Sequence, residues 1–178
     1  MGLLRSCMRG SRAGVSLENE RYLGTLAIPV NELRILKALY RGEVEYLLIG
    51  GQAMRWYGAT RATADVDLLA NPTLENGRRF INAVMSEIGH APGFSEKMFA
   101  NRKTQILFDG DGYRMSVITS VDGLEFENAY QERQFARQAR VVIPVVSRRH
   151  LVFIKRIAAK ADPARRDKEI SDIEFLES

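Results

Sequence analysis

Two short apolar runs do most to limit what this chain can become. Tyr46-Leu47-Leu48-Ile49 is stopped by the pair Gly50-Gly51, and Val66-Asp67-Leu68-Leu69-Ala70 is stopped by Asn71-Pro72. Both have the length and the flanking breakers of buried strands. Asp65 and Asp67 frame Val66 at the head of the second run. Side chains on a strand alternate faces, so the two carboxylates point the same way, roughly 7 Å apart at Cα, while Val66 and Leu68 point into the core. Like charges held that close oppose each other's ionisation, and a hard divalent cation with oxygen ligands, such as Mg²⁺, relieves the conflict. Taken alone, an Asp-x-Asp is also an ordinary solvated strand end, just as Gly-Gly after a strand is an ordinary turn. Together they describe a site. A strand ending in Gly50-Gly51 and feeding a short helix leaves backbone N–H groups free to hold phosphate, with no Cβ in the way.

The rest of the pattern predicts a mixed α/β (α+β) sheet protein. Pro29 precedes a helical run, Val30 to Tyr40, with Asn31 as its cap. After the glycine pair, Gln52 to Gly58 reads as two helical turns with Ala53, Trp56 and Tyr57 on one side. Residues 76–89 form a helix with Phe80, Ile81, Val84, Met85 and Ile88 inward and Gly89 as terminator. Asp109-Gly110-Asp111-Gly112 marks a hairpin between two strands. The run Ala139 to Val146 is strand-like, and its Pro144 puts it at an edge or a bulge. Two helices close the chain over residues 148–177, joined at Asp162-Pro163.

A chain of 178 residues holds one domain of ordinary composition, 46% hydrophobic and 27% charged, without needing staples. Residues 1–25 read as a flexible basic leader and 26–178 as the single domain. The leader matches a loose myristoylation pattern through Met1, Gly2 and Ser6, beside Cys7, but one acyl chain needs a second anchoring signal. That lone cysteine excludes an intramolecular disulfide framework and a thiolate metal cluster, which fits the cytoplasm. A net charge of +4 favours phosphate-bearing partners weakly. No apolar run approaches the roughly 18 residues of a membrane span.

Gly50-Gly51, the thirteen residues Gln52 to Ala64, then Asp65-Val66-Asp67-Leu68 resemble the signature of the DNA polymerase β-like nucleotidyltransferase superfamily. More narrowly, residues 46–69, 123–133 and 150–176 look like the small nucleotidyltransferases related to the AbiEii abortive-infection toxins. The resemblance runs over residues 30–177. It implies a nucleotidyltransferase fold, a mixed sheet flanked by helices with a C-terminal helical pair. It also implies transfer of a nucleoside monophosphate from a nucleoside triphosphate, ATP or another, to a hydroxyl of a protein, an RNA or a small molecule. Asp65 and Asp67 would be the catalytic, metal-binding carboxylates for Mg²⁺ or Mn²⁺, and Gly50 and Gly51 would cradle the triphosphate. A cognate toxin or antitoxin partner, within a toxin–antitoxin or phage-defence pair, is part of the same implication.

The pattern breaks at one place. Members of this kind carry a third carboxylate on a later strand, and the matching segment here, Tyr113 to Ile118, has Ser116. A neutral hydroxyl is a poor substitute for a metal-binding acid. Three accounts stand open: Asp122 swings in from a loop, the acceptor is activated without a third acid, or the chain is an impaired homologue that keeps nucleotide or partner binding.

Around the aspartates, Arg61 and Thr63 are candidates for phosphate contact or for steadying the loop. Lys155 emerges beside the apolar stripe of its helix; a lysine near this point faces the triphosphate in the family, and the plainer account leaves its ammonium in water. Asp172 and Lys168 stand at the spacing of a surface helix pair, and Lys168-Glu169 departs from the relatives' Lys-Asp. His150 has no second histidine at ligand spacing, which argues against zinc. Trp56 and Tyr57 are base-stacking or core aromatics. Arg148, Arg149, Arg156, Arg165 and Arg166 offer a third function, nucleic-acid binding, without a recognition motif.

Overall fold

The two apolar runs form the centre of a sheet. In the computed structural model, which describes residues 24–178 except 61, 91–92, 102 and 111, the first run is strand β1 (Tyr46–Ile49) and the second is β2 (Val66–Ala70). They pair antiparallel, Tyr46 opposite Ala70 and Ile49 opposite Asp67. All four residues of β1 are buried, as a strand covered on both faces requires. The hairpin strands β3 (Gln105–Gly110) and β4 (Tyr113–Ile118) add on one side, with β4 parallel to β2. On the other side lie β5 (Gln134–Gln138) and β6 (Val141–Val145), with β6 parallel to β1. The order β3-β4-β2-β1-β6-β5 is an open mixed sheet of six strands.

Helices cover it. They are α1 (Val30–Arg41), α2 (Gly50–Trp56), α3 (Leu74–Ile88), α4 (Glu96–Ala100), α5 (Phe126–Gln131), α6 (Arg148–Ala161) and α7 (Arg166–Glu177). Ile35, Leu36 and Leu39 of α1 and Phe80, Ala83 and Val84 of α3 join the strand interiors in one core, with the Phe99 ring tilted against that of Phe80. Thr73 caps α3 by accepting from the Asn76 N–H, and Gly89 ends it in the left-handed region. No helix among the described residues is long and apolar enough to cross a membrane.

Four expectations need correction. Asn31 does not cap α1: Pro29, with its fixed φ, is the N-cap, two residues earlier, and the Asn31 amide donates to the Gly112 carbonyl at 3.2 Å. Met85 is exposed, because the inward stripe of α3 runs through Asn76, Gly77, Phe80, Ala83 and Val84 instead. The strand with Pro144 is internal, since β5 covers its outer side. The Val146 N–H donates to the Leu48 carbonyl, so alternation turns the Pro144 nitrogen to the β1 side, where only Leu48 and Val145 are in register. The fourth is the glycine pair, which makes no separate turn: Gly50 is already the first residue of α2.

At the far end, the Asp162 carboxylate accepts from the Ala164 N–H and Pro163 opens a single 3₁₀ turn that leads into α7. The stop between the last two helices therefore follows the sequence signal, with one tight turn inserted. This folds α7 back along α6.

Candidate functional site

Strand pairing builds the site. Register sets Asp67 between Ile49 on one side and Ser116 of β4 on the other, so residue 116 is the sheet neighbour of the half-buried aspartate. The serine Oγ accepts from the Gln105 amide at 3.2 Å. The position at which the resemblance expects a third carboxylate is thus beside Asp67 in space, and a neutral group fills it.

The chain leaves β1 through Gly50 at φ +64°, in the left-handed region. A Cβ there would sit 2.1 Å from Asp67 Oδ2, so only glycine lets the carboxylate lie against this backbone. Gly51 is close-packed in the same way: a Cβ would meet Thr63 Oγ1 at 2.6 Å. Gln52, fully buried, ties the neighbourhood together. Its amide donates to the Thr63 carbonyl at 3.2 Å and exchanges two hydrogen bonds with the Ala27 backbone, both 3.1 Å. Thr63 is therefore held against the glycine pair. Arg61 lies outside the described residues.

Asp65 lies just ahead of β2 and is exposed; its Oδ1 is 3.7 Å from Arg114 Nε. The Arg114 backbone N–H donates at 2.7 Å to Glu32, a buried carboxylate of α1. Asp67 is the more enclosed of the two. Burial first, and then the charge of Asp65, push its carboxyl above the ordinary aspartate value; Arg165, Lys155 and Lys168 pull the other way. Those cations belong to a wall of mixed charge in the C-terminal helices, since Lys155 and Arg165 are paired there with Glu169 and Asp172.

Lys155 is part of that wall in a way neither reading of the sequence anticipated. Its ammonium is buried, 2.8 Å from Glu169 Oε2 and 2.5 Å from Asp172 Oδ2. The account that left it in water is overturned, because α7 packs over the inner side of α6 and brings two acids onto the lysine. Asp172 is likewise buried rather than a surface partner of Lys168. Glu169, noticed only as a departure from the relatives' motif, also accepts from the exposed Arg165 guanidinium at 2.9 Å.

Other candidates lie elsewhere. Asp122 occupies the exposed turn before Gly123 and pairs with Lys103 at 3.1 Å. Tyr57 is buried, its hydroxyl donating to the Val146 carbonyl at 2.7 Å, which makes it a core residue; Trp56 is half-buried against the same core. His150 is buried, its Nδ1 2.9 Å from Ser147 Oγ, the cap of α6. Burial lowers its pKa, with Glu132 opposing and Arg149 assisting, so the ring is neutral near pH 7. Among the described residues no group of three or more His, Cys, Asp or Glu is placed to hold a metal ion.

No protein-family model matches the chain, and a search of curated proteins returned no match. What can be said of the site comes from its own chemistry. Gln52, Glu32, Arg114, Arg165 and Glu169 were not singled out beforehand as site residues, apart from Arg165 within a basic set. The signal for Glu169 and Asp172 was present as two acids three apart on a helix following a lysine-bearing one, but their burial depends on how α6 and α7 meet.

Proposed function

We propose that the chain is a nucleotidyltransferase of the DNA polymerase β-like kind, related to the small AbiEii-like enzymes. It transfers a nucleoside monophosphate from a nucleoside triphosphate to a hydroxyl acceptor. One observation carries the reading: the Asp67 carboxylate lies against the backbone of Gly50, with the charge of Asp65 near enough to oppose its ionisation and those of Arg165, Lys155 and Lys168 near enough to favour it.

The donor set fits a hard cation. Two carboxylates that oppose each other's ionisation, one of them largely buried, suit Mg²⁺ or Mn²⁺ with oxygen ligands. No third acidic, histidine or cysteine ligand joins them among the described residues, so the fit is to one ion held by Asp65 and Asp67. When bound, such an ion supplies positive charge to the phosphate oxygens. The chain's own groups do the rest. Glycine at 50 and 51 leaves room for the Asp67 carboxylate and for Thr63 against the main chain, and Arg165 and Lys168 would balance charge on the triphosphate and on the departing pyrophosphate. In the reaction the acceptor oxygen bonds to the α-phosphorus, the bond from that phosphorus to the bridging oxygen breaks, and pyrophosphate leaves. The acceptor proton passes to water, since Ser116 is no base at neutral pH.

A second reading rests on Ser116 in register with Asp67: an impaired homologue that binds nucleotide, or a toxin–antitoxin partner, without transfer. Incubation with α-labelled nucleoside triphosphates and Mg²⁺, alongside calorimetry, separates the two. Label transfer that vanishes in Asp65→Ala supports the enzyme. Binding without transfer supports the second reading, and no binding of any ribonucleoside triphosphate refutes the enzyme and the nucleotide-binding form of the second reading.

A further inference from the structure

A second surface stands apart from the carboxylates. Two cavities of about 570 and 630 Å³ adjoin each other and share Arg41 and Arg79 as walls. The first is a groove between α1 and α3. Arg34, Lys37 and Arg41 follow one another along α1, and Arg79 stands across on α3. Acids are few: Glu87 pairs with Arg34 at 2.7 Å, and Glu75 with Arg79 at 3.2 Å. Lys37 and Arg41, four residues apart on one side of the helix, make no ion pair among the described residues.

The second cavity has a different character. Tyr40 and Phe135 are 54% and 51% exposed on its rim, so neither ring serves the core. Arg133 lies with its guanidinium 3.9 Å from the Tyr130 ring centre and 5.2 Å from that of Phe135. Flat faces and a planar cation therefore sit beside a row of cations. Glu43 and Glu45 also line this cavity; the Glu45 carboxylate accepts from the Asn71 amide and the Glu43 carbonyl from Arg79. Tyr46 forms part of the floor and pairs with Ala70, whereas Ile49 pairs with Asp67, so the cavity lies about 10 Å of strand from the carboxylates.

We propose that these adjoining cavities bind single-stranded nucleic acid, phosphates along Arg34, Lys37, Arg41 and Arg79 and unstacked bases against Tyr40, Phe135 and Arg133. The pairing of cations with open rings selects that ligand. A duplex keeps its bases stacked on each other, and an acidic peptide has nothing to lay on the rings. The proposal does not depend on the nucleotidyltransferase reading.

The test is fluorescence anisotropy of the full chain with a labelled RNA of about 12 nucleotides, an abasic strand of the same length, a duplex and polyglutamate. Two unpaired and two paired cations predict a slope of log affinity against log salt between about −1.4 and −2.8 for the single strand. Lys37→Gln with Arg41→Gln removes about 1.4 from that slope's magnitude. The abasic strand binds more weakly than the intact one by about fivefold or more, and Tyr40→Ala with Phe135→Ala abolishes the difference. All four positions are exposed, and thermal melting confirms that each variant folds. The proposal is overturned by absence of binding, by an unchanged slope in the charge variant, by equal affinity for the abasic strand, or by duplex or polyglutamate binding as tightly.

Discussion

Gly50→Ala tests the contact on which the site depends. Two costs combine. A non-glycine residue in the left-handed region loses about 1–2 kcal/mol per residue, and at φ +64° position 50 is in it. The added Cβ would also stand 2.1, 2.8 and 2.9 Å from Oδ2, Cγ and Cβ of Asp67, and such overpacking costs about 1–3 kcal/mol once neighbours shift. The sum is a loss of about 2–5 kcal/mol. Urea denaturation measures it, with an unchanged slope showing that only stability moved. Two companions separate the terms. Gly89→Ala, at φ +79° with nothing within 4 Å of a Cβ, reports the backbone cost alone, about 1–2 kcal/mol. Asp67→Ala removes Oδ2 and Cγ, so in its background Gly50→Ala should cost less by about 1–3 kcal/mol. If the two substitutions simply add, or if Gly50→Ala costs no more than Gly89→Ala, the carboxylate does not lie against residue 50.

Three further predictions concern charge. The Asp67 carboxyl has a raised pKa in the folded chain, so its contribution to stability is full below the unfolded value and is lost as pH rises through the folded one. In chelator at neutral pH, Asp67→Asn therefore melts above the native chain, and the gap closes on acidification below about pH 4; a gap that widens on acidification refutes the sign. Lys155→Met removes the buried ammonium that Glu169 and Asp172 share and should cost about 3–5 kcal/mol by denaturation, so a change under about 1 kcal/mol would mean the acids are not enclosed. Ser116→Asp places a third carboxylate beside Asp67; it should lower the melting temperature without metal and enlarge the rise on adding Mg²⁺, and an unaltered metal response contradicts the ligand assignment.

Local chemistry explains why some elements were legible. Breakers at Gly50-Gly51 and Asn71-Pro72, the glycine-rich hairpin and Asp162-Pro163 act within a few residues, and each marks the boundary it signalled, Gly50 by opening its helix directly. Strand β5 was missed because Gln134-Phe135-Ala136-Arg137-Gln138 has only Ala136 turned into the core, too little for an apolar pattern. Its presence then changed what Pro144 meant.

By itself the chain determines periodicity, breakers and the one-residue spacing of Asp65 and Asp67, because those follow from backbone geometry and neighbours in sequence. It also determines that residue 50 has no Cβ. Tertiary structure alone decides what those atoms meet: Ser116 beside Asp67, Glu169 and Asp172 closing on Lys155, Arg165 tied to Glu169. Sheet register and helix packing join residues tens of positions apart, and the electrostatic environment of a carboxylate depends on such joined groups and on the water they exclude.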